Sequence, residues 1–421
     1  MLNLSFFCAA VAAVTLEFGC SHSVSPTNGQ KNLNLTTIEK RVVSASGSFA
    51  LDLFGKVAEQ VRGKNFFMSP LSVSMALAMT LNGASGQTYD DMQKTLGLEG
   101  LSNDEINQSY RNLVSLFGGL DPDVKFSIAN SIWYRNTFAV ADEFLTVNKD
   151  YFDAAVKPLD FNDPGAADVI NAWISDKTNK KIPKVLEPPI DPAVVMYLIS
   201  ALYFNGTWQY TFDKDQTKPL PFYLADGSTK DAQMMVVRET LRYFSNSDLS
   251  VVELPYGKGD YSMLILLPNT TSSLDNLTGT LTSGTYETIL DGLHEADVQV
   301  TMPKFTVRYD TLLNDPLISL GMGIAFDGKA DFSRMKTADC HDTLSISRVI
   351  HSTYIDVNEE GTEAAAVTVV EMVLITGGEG PEIGPILFKV DRPFAFLIKE
   401  NHENTIMFMG AITEPSVQVS N

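Results

Sequence analysis

The chain has 421 residues, 44% hydrophobic and 19% charged, which is ample for a sizeable core and excludes a disordered chain. Its 51 Asp and Glu outnumber 31 Lys and Arg, and the formal net charge of -20 argues against nucleic acid or anionic lipid as a partner. The three cysteines, Cys8, Cys20 and Cys340, exclude a disulfide framework and have no metal-ligand spacing, so neither metal nor cofactor is expected.

From the N-terminus, Leu4–Leu16 is an apolar run too short to cross a bilayer but suited to the core of an export signal. No Lys or Arg precedes it and Glu17 follows, an imperfect form. Residues 1–23 are nevertheless expected to be a signal peptide, making the mature protein extracellular or periplasmic. Cys20, directly after Gly19, is a candidate lipid-attachment site, although Glu17 stands where an aliphatic residue is the rule. Residues 24–45 read as a polar tether, and 46–416, with no linker or repeat, as one domain.

Within that domain Phe49, Leu53, Val57 and Val61 line one face of a helix. Ser69-Pro70 caps a second helix, which runs to Leu81 and stops at Asn82-Gly83. Ser102 and Glu105 form a capping box ahead of Ile106, Tyr110, Leu113 and Phe117. Val169, Ile170, Trp173 and Ile174 mark another helix, predicted to end near Pro183. Thereafter the pattern is that of strands. Val194–Phe204 is almost wholly apolar, as in a strand covered on both faces. Val251–Tyr256 and Tyr261–Pro268 flank a turn at Gly257–Asp260. Val298, Val300 and Met302 alternate with polar residues, as does the stretch Tyr354–Val357, and Leu387–Ile398 and Thr405–Ile412 complete the strands. Helices first and strands later predict an α+β fold with large, mainly antiparallel sheets.

The segment after Asn358 is unusual. Glu359 and Glu360 precede Gly361, which frees the backbone to change direction. Thr362, Ala364, Ala366, Thr368, Val370 and Met372 form an uncharged period-2 set, while Glu363, Ala365, Val367 and Glu371 belong to the opposite set. That is a strand with one buried and one exposed face. It leads into 376–385, which holds four Gly and two Pro and has the chemistry of a loop. Taken alone, the pattern also fits an ordinary edge strand followed by a connection.

Seven ordered segments separate these readings. They are Asn65–Pro70, Leu202–Trp208, Glu253–Tyr256, Met302–Phe305, Val357–Ala366, Asp391–Phe394 and Phe408–Gly410. Over nearly all of 46–415 the chain resembles the serpin family of protease inhibitors. The resemblance implies the serpin fold, a monomer, no catalytic residues, and a reactive-centre loop over 361–386. A target serine protease forms an acyl-enzyme with that loop, and the cut loop inserts as a new strand of the main sheet, trapping a covalent complex. The hinge would be Glu359, Glu360, Gly361, Thr362, Glu363, Ala364, Ala365, Ala366 and Val367, with Val367 bulkier than the usual Ala or Thr. The resemblance puts the cleaved bond at Ile375–Thr376, with Leu374 and Met372 as alternative sites. No Lys or Arg lies between Thr362 and Leu387, so elastase-, subtilisin- or chymotrypsin-like proteases fit better than trypsin-like ones. By motif match Ser69, Ser72, Ser200 and His351 form the polar gate under the sheet, and Trp208 marks the entry point. Ser200 replaces the usual Asn and lacks its paired amide bonds. These residues would also be expected as mere core satisfaction.

An enzyme reading finds little. His22, His294, His341, His351 and His402 form no metal motif, Gly-x-Ser-x-Gly is absent, and Cys340-His341 is an isolated pair. No Lys/Arg cluster suggests a heparin site. Two rivals stand: a non-inhibitory serpin (carrier, storage protein or chaperone), and an inhibitor of papain-like cysteine proteases.

Overall fold

The first helix, α1 (Thr37–Gln60), starts earlier than its apolar stripe because Thr36 and Glu39 close a capping box, each side chain taking the other's backbone N–H. The structure, a computed structural model, describes residues 33–362 and 384–416. The tether expected over 24–45 is therefore corrected: its last part, from Thr37, is helix, with Val42 and Val43 buried. The proposed signal peptide and Cys20 lie outside the described residues.

Chain order continues with β1 (Phe66–Met68), α2 (Pro70–Leu81), α3 (Gly86–Thr95), α4 (Asn103–Gly118), β2 (Val124–Arg135), α5 (Asp142–Phe152), β3 (Ala155–Leu159), α6 (Ala166–Lys177) and β4 (Met196–Thr207). Ser69 caps α2 and the Ser102–Glu105 box caps α4, as local chemistry predicts. α6 stops well before Pro183, because Asn179 and Lys180 both adopt left-handed backbone. Val169, placed on its apolar face, is exposed.

The strand-rich half comprises β5 (Lys218–Tyr223), β6 (Thr229–Ser245), β7 (Leu249–Tyr256), β8 (Tyr261–Pro268), α7 (Leu274–Thr280), α8 (Ser283–Gly292), β9 (His294–Pro303), β10 (Phe305–Leu312), α9 (Asn314–Leu317) and β11 (Ile350–Asn358). It ends with β12 (Gly361–Thr362), β13 (Ile386–Lys389), β14 (Phe394–Glu400) and β15 (Ile406–Ile412). The single strand expected at Leu387–Ile398 is thus two. Asp391-Arg392-Pro393 breaks it, since Pro lacks the N–H a ladder needs. β13 pairs parallel with β9, and β14 lies antiparallel between β8 and β15.

These strands build two sheets. One runs β1-β15-β14-β8-β7-β6-β9-β13 with β5 beside β6; the other runs β10-β11-β12-β4-β2-β3. Between them lies the main core, where Phe204 packs on Tyr256, Tyr261 and Phe408, and Phe305 on Phe394 and Phe396. A second cluster covers the opposite face of the six-stranded sheet, joining Trp133 to Ile170 and Ile174 of α6 and to Ile182, Leu186 and Ile190 beyond it. β4 was expected to be covered on both faces, yet most of its residues are only half-buried. The cause is the position of β4 in the sheet.

Candidate functional site

β4 pairs with β2 along Met196–Gly206, but on its other side its described partner is β12, at Gly206 and Thr207 alone. β11 likewise pairs with β10 throughout and with β12 only at Val357 and Asn358. The two strands therefore flank a slot in which β12, at one end, is the one described strand. Gly361 makes this possible: its φ is 153° and a Cβ there would lie 2.1 Å from the Gly206 carbonyl oxygen, so no side chain can be accommodated.

Thr362 is 2% exposed, and its hydroxyl meets the Tyr256 hydroxyl at 2.5 Å. Burial pushes the Tyr256 phenol well up, so it stays neutral and can donate. Trp208 stacks on Tyr256 with 4.4 Å between ring centroids and donates through Nε1 to the Asn358 carbonyl at 2.9 Å. The aromatic pair thus forms one wall at the mouth of the slot. The Trp208 and Phe212 N–H groups donate to the Glu360 and Glu359 carbonyls.

Glu359 turns inward, 4% exposed, and its carboxylate meets Lys304 Nζ at 2.8 Å and accepts from the Thr217 hydroxyl at 2.8 Å. Burial pushes this carboxyl up, but Lys304 and Thr217 outweigh it and hold the group below its ordinary value. Glu360 pairs with Lys214 at the surface. The hinge start is thus anchored by one buried ion pair and one exposed one, of which the buried one is the harder to break. Tyr256, Lys304, Lys214 and Thr217 were not singled out from sequence, although Tyr256 and Lys304 stand inside the segments Glu253–Tyr256 and Met302–Phe305 that carry the resemblance.

Farther down the slot the gate residues come together. Ser69 donates its backbone N–H to His351 Nε2 at 3.0 Å and its hydroxyl to the Met407 carbonyl at 3.0 Å. Ser72 donates its N–H to the Ser69 hydroxyl and its own hydroxyl to the Ser200 carbonyl at 2.8 Å. The α2 N-terminus is thereby tied to both β11 and β4. Ser200 Oγ is buried and has no hydrogen-bond partner among the described residues, as expected of a hydroxyl where two amide bonds would otherwise form. A cavity of about 690 Å³ opens beside it, lined by Leu77, Leu198, Ser200, Phe332, His351 and Ser352.

Glu363, Ala364, Ala365, Ala366 and Val367 of the hinge, and Met372, Leu374, Ile375 and Thr376 of the reactive bond, lie outside the described residues. Among the described residues no group of three or more His, Cys, Asp or Glu is gathered to hold a metal ion.

The serpin (serine protease inhibitor) family model matches residues 44–415. Among relatives, leukocyte elastase inhibitor of Bos taurus is 34% identical over 391 residues, covering 89% of this chain and all of its own. Iripin-3 of Ixodes ricinus is 34% identical over 356 residues, covering 83% of this chain and 89% of its own. The thermophilic serpin tengpin in its native state superposes with a TM-score of 0.79 at 32% identity, covering 88% of this chain and 94% of that one. The chain belongs to the serpin family, and its α+β architecture is the serpin fold.

Proposed function

We propose that this serpin is a suicide-substrate inhibitor of serine proteases with elastase-, subtilisin- or chymotrypsin-like specificity, exported from the cell. The observation that carries this is β12: the hinge is already paired between β4 and β11 at Gly361 and Thr362, and no other described strand lies between them. Antiparallel pairing continued from Thr362 would bring Thr368 level with both Ser200 and His351, on the core-facing side that Thr362 occupies. The residues that follow Thr362 on that side, Ala364 and Ala366, are small, and none through Met372 is charged.

Roughly a dozen inserted residues, each gaining about 1 kcal/mol net from backbone hydrogen bonds, would drive insertion far toward completion. At about 3.3 Å per residue the same segment would drag an acyl-linked protease some tens of Å. The proposed cleaved bond is Ile375–Thr376. The apolar run Leu4–Leu16, read as an export signal, supports an extracellular or periplasmic site of action, and the -20 net charge favours long-range attraction of cationic proteases.

The test is to mix the protein with pancreatic-type elastase, chymotrypsin and subtilisin, and separately with papain, and to look for an adduct of summed mass that survives SDS. An adduct with a serine protease, and a released fragment beginning at Thr376, is expected. Cleavage without adduct by every protease would refute inhibition, and an adduct with papain alone would refute the stated class. Thr362→Arg, which forces a cation into a 2% exposed site, should convert the inhibitor to a substrate; trapping undiminished in this variant would refute the role given to β12.

A further inference from the structure

The register of β12 fixes what each later residue of the loop would meet on the outer face of the six-stranded sheet. Thr362 lies level with Gly206 of β4 and Val357 of β11, and both pairings are antiparallel. Each step forward along the loop is therefore a step back along both flanking strands, and directly opposed residues share a face. Thr362 is buried on the core side, so the odd-numbered residues after it belong to the outer side. Two of these are acids. Continued pairing brings Glu363 between Asn205 and Asp356, and Glu371 between Tyr197 and Arg348.

Of these two places only the second offers a cation. Asp356, beside the first, is a carboxylate that accepts from the Thr306 hydroxyl at 2.7 Å. At the second, Tyr197 is half-buried and packs on Phe161 with 5.7 Å between ring centroids, within the apolar cluster shared with α6. Arg348 stands two residues before β11, exposed, and among the described residues it makes no ion pair. Burial pushes the Tyr197 phenol up, and Arg348 opposes that shift more strongly than Asp191 adds to it. The guanidinium is thus within electrostatic reach of Tyr197, although two flanking strands with one strand between them stand roughly 10 Å apart. That reach across the slot is what the register requires of residue 348.

We propose that Arg348 is a positioning residue that clamps the far end of the inserted strand by pairing with Glu371; this rests on the insertion reading above. β11 begins at Ile350, level with Val369, whereas β4 begins at Met196, level with Met372. Beyond Val369 the incoming strand is therefore held by the ladder of β4 alone, and a strand end held from one side frays readily. Glu371 is the last outward residue before β4 also runs out, and the proposed acyl attachment at Ile375 is four residues further on. An ion pair to Arg348 supplies the hold missing on the β11 side. Fraying there would slacken the tether and let the active site of the trapped protease recover. The pair opposes this, and beside the half-buried Tyr197 ring it is screened less than on open surface.

The test uses the full chain. Its adduct with a serine protease is formed and the release of active protease followed. Unfolding midpoints are read for the intact protein and for protein cut in the loop by a metalloprotease, which forms no acyl-enzyme. Arg348→Met keeps the stem and removes the cation. It should speed release about threefold and lower the midpoint of the cut form, leaving that of the intact form unchanged. Glu371→Gln should do the same, and the exchange of Arg348→Glu together with Glu371→Arg should restore slow release. Equal release from wild type and Arg348→Met overturns the clamp. So does a midpoint lowered equally in intact and cut forms, which would make Arg348 a support of the native fold, and so does a double exchange no better than its single changes. If the cut wild type gains no heat resistance, insertion fails and the clamp with it. A protein that inserts without trapping is judged on the midpoints, and equal values for wild type and Arg348→Met there overturn the clamp alone.

Discussion

His351 is held where a proton is costly. It is buried and accepts the Ser69 N–H through Nε2, so that nitrogen carries no hydrogen and the ring is neutral. Burial pushes its pKa down to about 4, with Asp310 opposing weakly. Because the folded value lies below the unfolded one near 6.5, the stabilisation is complete above pH 6.5 and is lost as pH falls toward 4. Its size is at most about 3 kcal/mol. His351→Gln, whose amide oxygen can still accept from Ser69, should flatten the fall in urea midpoint between pH 6.5 and 4. An unchanged pH profile would move that sensitivity to other groups. The position of His351 was readable only by motif match; nothing in its neighbours along the chain announces a buried acceptor.

Among elements, the end of β14 shows what pairing across strands does to charge. Lys399 is wholly buried, with Nζ 2.9 Å from Glu253 of β7 and bonded to Asn401 and Asn404. Burial pushes Glu253 up, but Lys399 and Arg242 outweigh it and hold it below its ordinary value. Lys399→Met should therefore cost about 3 kcal/mol, because a buried carboxylate loses its nearest cation. Adding Glu253→Gln should recover a good part of that loss, and strictly additive losses in urea unfolding would show the two uncoupled. Local signals located elements well where the chemistry was local. The Ser102–Glu105 box fixed the start of α4, and Thr36–Glu39 offered the same signal for α1 but lay in a stretch too polar to draw notice. The half-buried character of β4 was hidden, since an apolar run looks the same beside a filled or an open neighbour.

At the scale of the molecule, the six-stranded sheet is incomplete around β12 among the described residues, and completing it is the store of free energy that the proposed function uses. Cutting the loop should raise the unfolding temperature by about 20 °C, from roughly a dozen new hydrogen bonds at about 1 kcal/mol each. Calorimetry before and after cutting checks this, and an unchanged midpoint would mean that no strand is added. In the proposed mechanism insertion is limited by rate, the Ser69–His351 contact and the Glu359–Lys304 pair standing at the two flanks of the gap. The sequence by itself determined what is local: the capped helices, the flexible Gly361, the uncharged alternation from Thr362, and the absence of a basic residue in the loop. Alternation assigns each side chain to a face but does not name the neighbouring strands. Only tertiary packing decided that β12 lies between β4 and β11, that Glu359 meets Lys304 and Thr217, and that His351 accepts from Ser69. Those partners stand far apart in the chain, and the core between the two sheets fixes their register.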